Sequence, residues 1–201
     1  MPQSEGASRR SANWTARRDA IVDTSARVFA QNGYHATGIN ELCAANELGK
    51  GALYHYIGSK EELLAAIHDR VMDEVLASGA RVAASKGTPS EKLVKLGDGL
   101  LDIITRFPDH VWVFLHEFPA LTGERAETFR ERRREYEKRV EAVIAAGVRA
   151  GEFRKVDPRL TTLAWLGMHN YTYLWWKSDR KLTPRDVAQR FADIFVDGIR
   201  A

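Results

Sequence analysis

The 201-residue sequence predicts an all-α fold of about nine helices, a small N-terminal unit followed by a larger helical domain. Three observations carry that prediction. Apolar residues recur at helical spacing through most of the chain, as in Ile39, Leu42 and Cys43, or in Val187, Phe191, Ile194 and Phe195. Helix-start signatures punctuate it: Ser59-Lys60-Glu61-Glu62, Thr88-Pro89-Ser90-Glu91 and Thr183-Pro184-Arg185-Asp186 each set an N-cap hydroxyl three residues before an acidic side chain. Two of them carry proline at the first helical position, where its missing N–H costs nothing. No segment shows the strict alternation of a half-buried strand.

Taken in order, residues 1–13 are rich in Ser, Gly, Gln and Arg and read as a disordered arm. A helix over 14–32 carries Ile21, Ser25, Val28 and Phe29 on one face and stops at Gly33. From Thr37 to Lys60 two short helices meet at a polar break, Asn46-Glu47. In the second, Leu53 and Ile57 sit four apart and face inward, which leaves Lys50, Gly51, Ala52, Tyr54 and His55 on the outer side. Helix, tight turn, helix is the geometry that lays a second helix into the DNA major groove. The helix opened by Ser59 runs through Leu63, Ile67 and Val71 to about Ala84, and the boundary between the N-terminal unit, 14–62, and the C-terminal domain, 63–201, falls near its start.

In the C-terminal domain, a helix from Pro89 to Phe107 is followed by a very apolar segment, Asp109 to Leu121, that must be buried on most sides. A long helix over 123–151 has a charged first half, R-E-R-R-R-E-Y-E-K-R, whose interleaved glutamates make it a solvated face. Asp157-Pro158 opens a helix reaching Trp176, and Thr183-Pro184 opens the last. Aromatic residues concentrate in two of these helices. Trp112, Phe114, His116, Trp165, His169, Asn170 and Tyr173 supply apolar walls with a few polar groups, the composition of a small-molecule cavity, although simple core packing accounts for many such residues.

Composition excludes several classes. Net charge is +3, so charge alone does not reveal a nucleic-acid partner. The single cysteine, Cys43, allows no internal disulfide and suits a reducing cytoplasmic setting. Leu160 to Trp176 is slightly short for a membrane span and is interrupted by His169, Asn170 and Gly167. The six histidines show no metal-ligand spacing, and no phosphate loop, dinucleotide fingerprint or nucleophile motif is present. Neither a cofactor nor catalysis is expected.

The run L-G-K-G-A-L-Y-H-Y-I-G-S-K-E-E-L-L, residues 48–64, resembles the signature of the TetR family of bacterial one-component transcriptional regulators. The resemblance extends over about 15–70, with two departures: Gly49 where Ser or Thr is usual, and Ile57 where Phe is usual. It implies a homodimeric, ligand-responsive repressor on a palindromic double-stranded operator. Lys50, Gly51, Ala52 and His55 would approach base edges, Thr37, Tyr54 and Lys60 would hold phosphates, and the last two helices would dimerise through Phe191, Ile194 and Phe195. More loosely, Gly151-Glu152-Phe153 and the Y-T-Y-L-W-W run resemble regulators of fatty-acid and sterol breakdown, which implies an acyl-CoA thioester as effector. Its phosphates would need cations such as Arg130, Arg133, Arg134 or Lys177. The competing readings are a repressor answering a hydrophobic or aromatic compound without CoA, a constitutive DNA-architectural protein, and an enzyme or carrier with a degenerate helix-turn-helix.

Overall fold

The computed structural model describes residues 3–176 and 182–200. The nine expected helices are all there, one of them broken in two: α1 Gln3–Asn32, α2 Ile39–Ala45, α3 Lys50–Ile57, α4 Lys60–Ala84, α5 Pro89–Arg106, α6 Pro108–His116, α7 Gly123–Arg149, α8 Pro158–Asn170, α9 Thr172–Trp175 and α10 Pro184–Ile199. A 3-10 turn, Phe118–Ala120, joins α6 to α7. Outside the helices, the described residues hold one isolated antiparallel bridge, Phe153 to Arg200.

Two expectations are corrected. The segment read as a disordered arm is helical from Gln3 onward. Ala7, Arg9, Arg10 and Ala12 are good helix formers with no proline among them, and once the packed half of α1 is nucleated each added residue costs little. The helix expected to run from Pro158 to Trp176 breaks at Tyr171, where the Thr172 hydroxyl donates to the His169 carbonyl at 2.7 Å. That local bond competes with helix propagation.

The caps are as the sequence reads. Ser59 accepts from Glu62 N at 3.0 Å and Asp157 from Leu160 N at 2.9 Å, while Thr88 and Thr183 close full capping boxes with Glu91 and Asp186. Gly49 leaves the N-terminus of α3 without a side-chain cap. Between α2 and α3 the chain turns through Glu47, the only non-glycine described at positive φ, 54°. Asn46 stabilises that turn by donating to Ser25 Oγ at 3.2 Å and to Leu42 O at 2.9 Å.

Ile21 and Phe29 of α1, Leu42 of α2, Leu53 and Ile57 of α3, and Leu63, Leu64 and Ile67 of α4 form the N-terminal core. Each side chain of this size stabilises by about 1.5–3 kcal/mol on burial. The C-terminal core gathers Val71, Met72 and Val75 from the same α4 with Leu93, Leu96, Ile103, Val140, Ile144 and Trp165. Where α7 ends, Gly151 adopts φ 73° and the chain doubles back to set Phe153 against Gly147, at which a Cβ would collide with the ring. The Gly-x-Phe turn is therefore a packed corner that requires glycine at 147 as well as at 151.

Burial also disfavours charge on three histidines, His68, His110 and His169, and holds His169 down to about 4. Between about pH 4 and 6.5 the folded chain keeps His169 neutral while the unfolded chain protonates it, so stability falls as pH drops through that window. At pH 5 this one group should cost about 2 kcal/mol relative to pH 7.5. Urea unfolding at the two pH values, compared between the chain and His169→Asn, measures it; an equal pH-dependent loss in both would show that His169 is not held neutral.

Candidate nucleic-acid interface and effector cavity

The outer face of α3 presents Lys50, Gly51, Ala52, Tyr54 and His55 to solvent, while Leu53 and Ile57 anchor its inner face. An eight-residue helix without an N-cap is marginal alone, so its orientation comes from α1, α2 and α4. Trp14 of α1 reaches the same side and lies 5.8 Å from the Tyr56 ring. Arg17 donates to the Asn46 carbonyl in the turn at 3.4 Å.

Two residues expected at phosphates make intramolecular contacts in this structure. Thr37 is only 1% exposed and its hydroxyl donates to the Gly33 carbonyl at 2.8 Å, closing the turn into α2. Lys60 is half-buried, its ammonium 4.3 Å from the centre of the Tyr34 ring, where desolvation lowers its pKa. Both residues position the α1–α2 turn in this conformation.

The seven residues expected to line one cavity separate into three groups. Phe114 and Asn170 do line a small cavity of about 50 Å³ in the C-terminal domain. Trp112, His116 and Tyr173 form a surface stack beside it: the Trp112 and His116 rings are 4.4 Å apart, His116 Nδ1 donates to the Trp112 carbonyl at 2.9 Å, and Nε2 then accepts from the Tyr173 hydroxyl at 2.9 Å. Trp165 and His169 are buried below α10, stacked at 4.0 Å with His169 facing Phe191 and Gly97, and they line no part of the cavity.

Arg133 of α7, expected at the cavity as a cation, does line it, but sequence reasoning missed most of the rest of the wall: Val71, Met72 and Val75 from α4, Leu100 and Ile104 from α5, and Tyr136 and Glu137 from α7. Glu137 is 8% exposed and accepts from Arg159 of α8 at 2.8 Å, with Arg133 at 3.9 Å. Its signal was in the sequence, because Glu137 adjoins Tyr136 on the stripe continued by Val140 and Ile144. Burial raises the Tyr136 pKa, so the phenol stays protonated.

Helix α6 connects the cavity to the N-terminal unit. Val111, Phe114 and Leu115 line the void. Near one end His110 Nε2 stands 3.2 Å from Asp23 of α1, and Asp23 is also 3.4 Å from Arg70. At the other end Glu117 Oε1 accepts the Tyr34 backbone N–H at 3.0 Å, in the turn that leads into α2. Just beyond, the Thr122 hydroxyl donates to Glu61 at 2.6 Å. Among the described residues no group of three or more His, Cys, Asp or Glu could hold a metal, and no helix is long and apolar enough to cross a membrane.

Comparison with known proteins decides the family. Residues 86–199 match the model described as "Tetracyclin repressor-like, C-terminal domain", and residues 21–67 match "Bacterial regulatory proteins, tetR family". The chain belongs to the TetR family. Relatives of this TetR-family chain include the HTH-type transcriptional repressor KstR2 of Rhodococcus jostii (strain RHA1), 26% identical over 190 residues that make up 91% of each chain. Among solved structures, the TetR-family regulator PfmR from Thermus thermophilus superposes with a TM-score of 0.83 at 28% identity, over 90% of this chain and 99% of that one. AibR, solved in complex with isovaleryl coenzyme A and operator DNA, superposes with a TM-score of 0.77 at 33% identity, over 92% of this chain and 98% of that one. The protein is accordingly a TetR-type transcriptional regulator.

The Glu117 contact yields a direct test. Glu117→Ala removes the acceptor of the Tyr34 amide, so exchange of that amide should accelerate by roughly tenfold or more and stability should fall by about 1 kcal/mol. Hydrogen exchange resolved at Tyr34 measures it; unchanged protection would mean that the carboxylate does not hold the turn.

Proposed function

We propose that the protein is a homodimeric repressor whose two α3 helices enter successive major grooves of a palindromic operator, roughly 34–36 Å apart, and that a hydrophobic effector entering the cavity releases it. The observation that carries this reading is α6, which forms one wall of the cavity and touches the helix-turn-helix unit near both its ends. At about 50 Å³ the cavity is far smaller than the roughly 300–1,000 Å³ of ordinary ligand sites. An effector therefore enters only if the surrounding helices separate, and α6 cannot shift without straining its contacts to Asp23 and Tyr34. Binding and operator geometry are linked through that displacement, with a coupling of about 1–3 kcal/mol.

An acyl-CoA thioester is the favoured effector class. The relative AibR was solved with isovaleryl coenzyme A, and the apolar cavity with an arginine in its wall suits an acyl group attached to an anionic carrier. A hydrophobic or aromatic compound without CoA is the second reading, favoured by the half-buried stack of Trp112 and Tyr173 on His116. Operator fragments selected from random duplex DNA, then challenged with decanoyl-CoA and with decanoic acid, separate the two: release by the thioester alone supports the first, and release by the acid removes it. Failure to select any DNA would overturn the repressor reading itself.

Dimerisation is supported by the exposed apolar side chains of α8, α9 and α10. Leu160 is 67% exposed and Ile194 68%, with Leu163, Tyr171 and Leu174 also exposed and Phe191 and Phe195 half-buried. Soluble monomers rarely leave such a patch uncovered. The segment that forms α8 and α9 was expected at this face, but the residues named for it in the sequence were those of α10 alone. Ile194→Glu should give a folded monomer with much weaker operator binding; a dimer of unchanged stability in sedimentation would exclude this face.

A further inference from the structure

The arginine run of α7 divides by face. Arg132 and Arg139 turn toward α4, where Arg132 pairs with Asp69 and Asp73, and Arg139 pairs with Glu135 and reaches the Leu76 carbonyl. Arg130, Arg134 and Glu137 are spaced four and three apart, which puts them along one side of the helix. That side faces α8, as the Glu137–Arg159 bond shows. Arg130 and Arg134 are both exposed, and among the described residues neither takes part in an ion pair; Glu127 and Glu131, their acidic neighbours in the sequence, pair with neither. Arg133 stands between this shoulder and the cavity. It contributes to the cavity wall, lies 5.8 Å from the Phe118 and Phe129 ring centres, and approaches Glu137 at 3.9 Å.

Arg133 and Arg159 thus share the Glu137 carboxylate at the α7–α8 side of the cavity, while Arg130 and Arg134, on the same side of α7, stand exposed and outside that pairing. Two like charges one turn apart on a helix repel each other, and a bound anion relieves the repulsion. Guanidinium forks suit phosphate oxygens, which they can bind in bidentate fashion. We propose that Arg130 and Arg134, with Arg133 at the wall, form an anion subsite for the phosphates of a CoA-type effector, so that the acyl group enters the cavity while the nucleotide part stays on the α7 shoulder. This inference rests on the effector reading above and adds to it the residues that would discriminate a thioester from its free acid. Lys177, the other cation considered for this role, lies outside the described residues.

The test uses the full chain with decanoyl-CoA, decanoyl-pantetheine, which lacks the phosphates, and decanoic acid, all followed by calorimetry. The double variant Arg130→Ala/Arg134→Ala should bind decanoyl-CoA roughly ten- to a hundredfold more weakly than the unaltered chain, with a flatter dependence on salt. Its affinity for decanoyl-pantetheine should be unchanged. Arg130→Lys/Arg134→Lys should recover part of the loss, which a merely structural role would not produce. Equal binding of decanoyl-CoA by the unaltered chain and the alanine variant would overturn the subsite while leaving the effector reading intact. No binding of decanoyl-CoA to the unaltered chain would remove the CoA reading and the subsite together. Weakened binding to duplex DNA with unchanged thioester affinity would assign the arginines to nucleic acid instead and overturn the proposal.

Discussion

One unbroken helix belongs to both halves of the molecule, and the rest of the structure depends on it. The first turns of α4 bury Leu63, Leu64 and Ile67 under the helix-turn-helix, and the next turns bury Val71, Met72 and Val75 against the C-terminal core and cavity. Beyond its first turn each backbone N–H along it is committed to the carbonyl four residues earlier, so the helix transmits displacement as a rod. Ile67 and Val71 are a single turn apart. The cavity and the reading head are therefore mechanically adjacent, with no flexible linker between them.

A rod alone would not make a device, because it can pivot freely. The second connection comes from α6, whose ends contact the N-terminal unit through His110 and Glu117 and whose middle turns face the cavity. Contacts near both ends of one short helix leave it few ways to move. The Tyr34 amide is an apt point of attachment: Gly33, at φ 82°, has already taken the chain out of α1, and the amide that follows has a side-chain acceptor from a distant part of the chain. The turn into α2 is thus held by the effector domain, and Lys60 over the Tyr34 ring braces it from the α4 side. On the proposed function, these are the contacts an effector would have to disturb.

Much of this was legible in the sequence, and the pattern of what was not is instructive. Caps and turns are local chemistry, so Ser59, Thr88 and Thr183 announced their helices and Asn46-Glu47 announced the turn. The outward set on α3 followed from the inward spacing of Leu53 and Ile57. Periodicity states which face of a helix is buried, but not what it is buried against. Trp165 and His169 therefore looked like companions of Trp112 and His116, yet they face α10 while the latter pair stacks at the surface. Thr37 looked free to reach a phosphate, but its hydroxyl was nearer to the carbonyl of Gly33. Glu137 was hidden by the reverse error: a charged residue in a charged run read as solvated, although Arg159, 22 positions later, neutralises it inside the cavity wall.

The tightness of the cavity has a consequence for how the regulator would be tuned. If only the expanded form admits a ligand, the apparent affinity is the intrinsic one multiplied by the fraction of molecules already expanded. That fraction is set by packing among Leu100, Ile104, Leu115 and Leu166, not only by atoms that grip the ligand. A methylene removed or added in such a core shifts the balance by about a kilocalorie. The concentration at which the regulator responds is then adjustable from inside the hydrophobic core, by conservative aliphatic exchanges that leave both the operator-reading surface and the chemistry of effector recognition untouched.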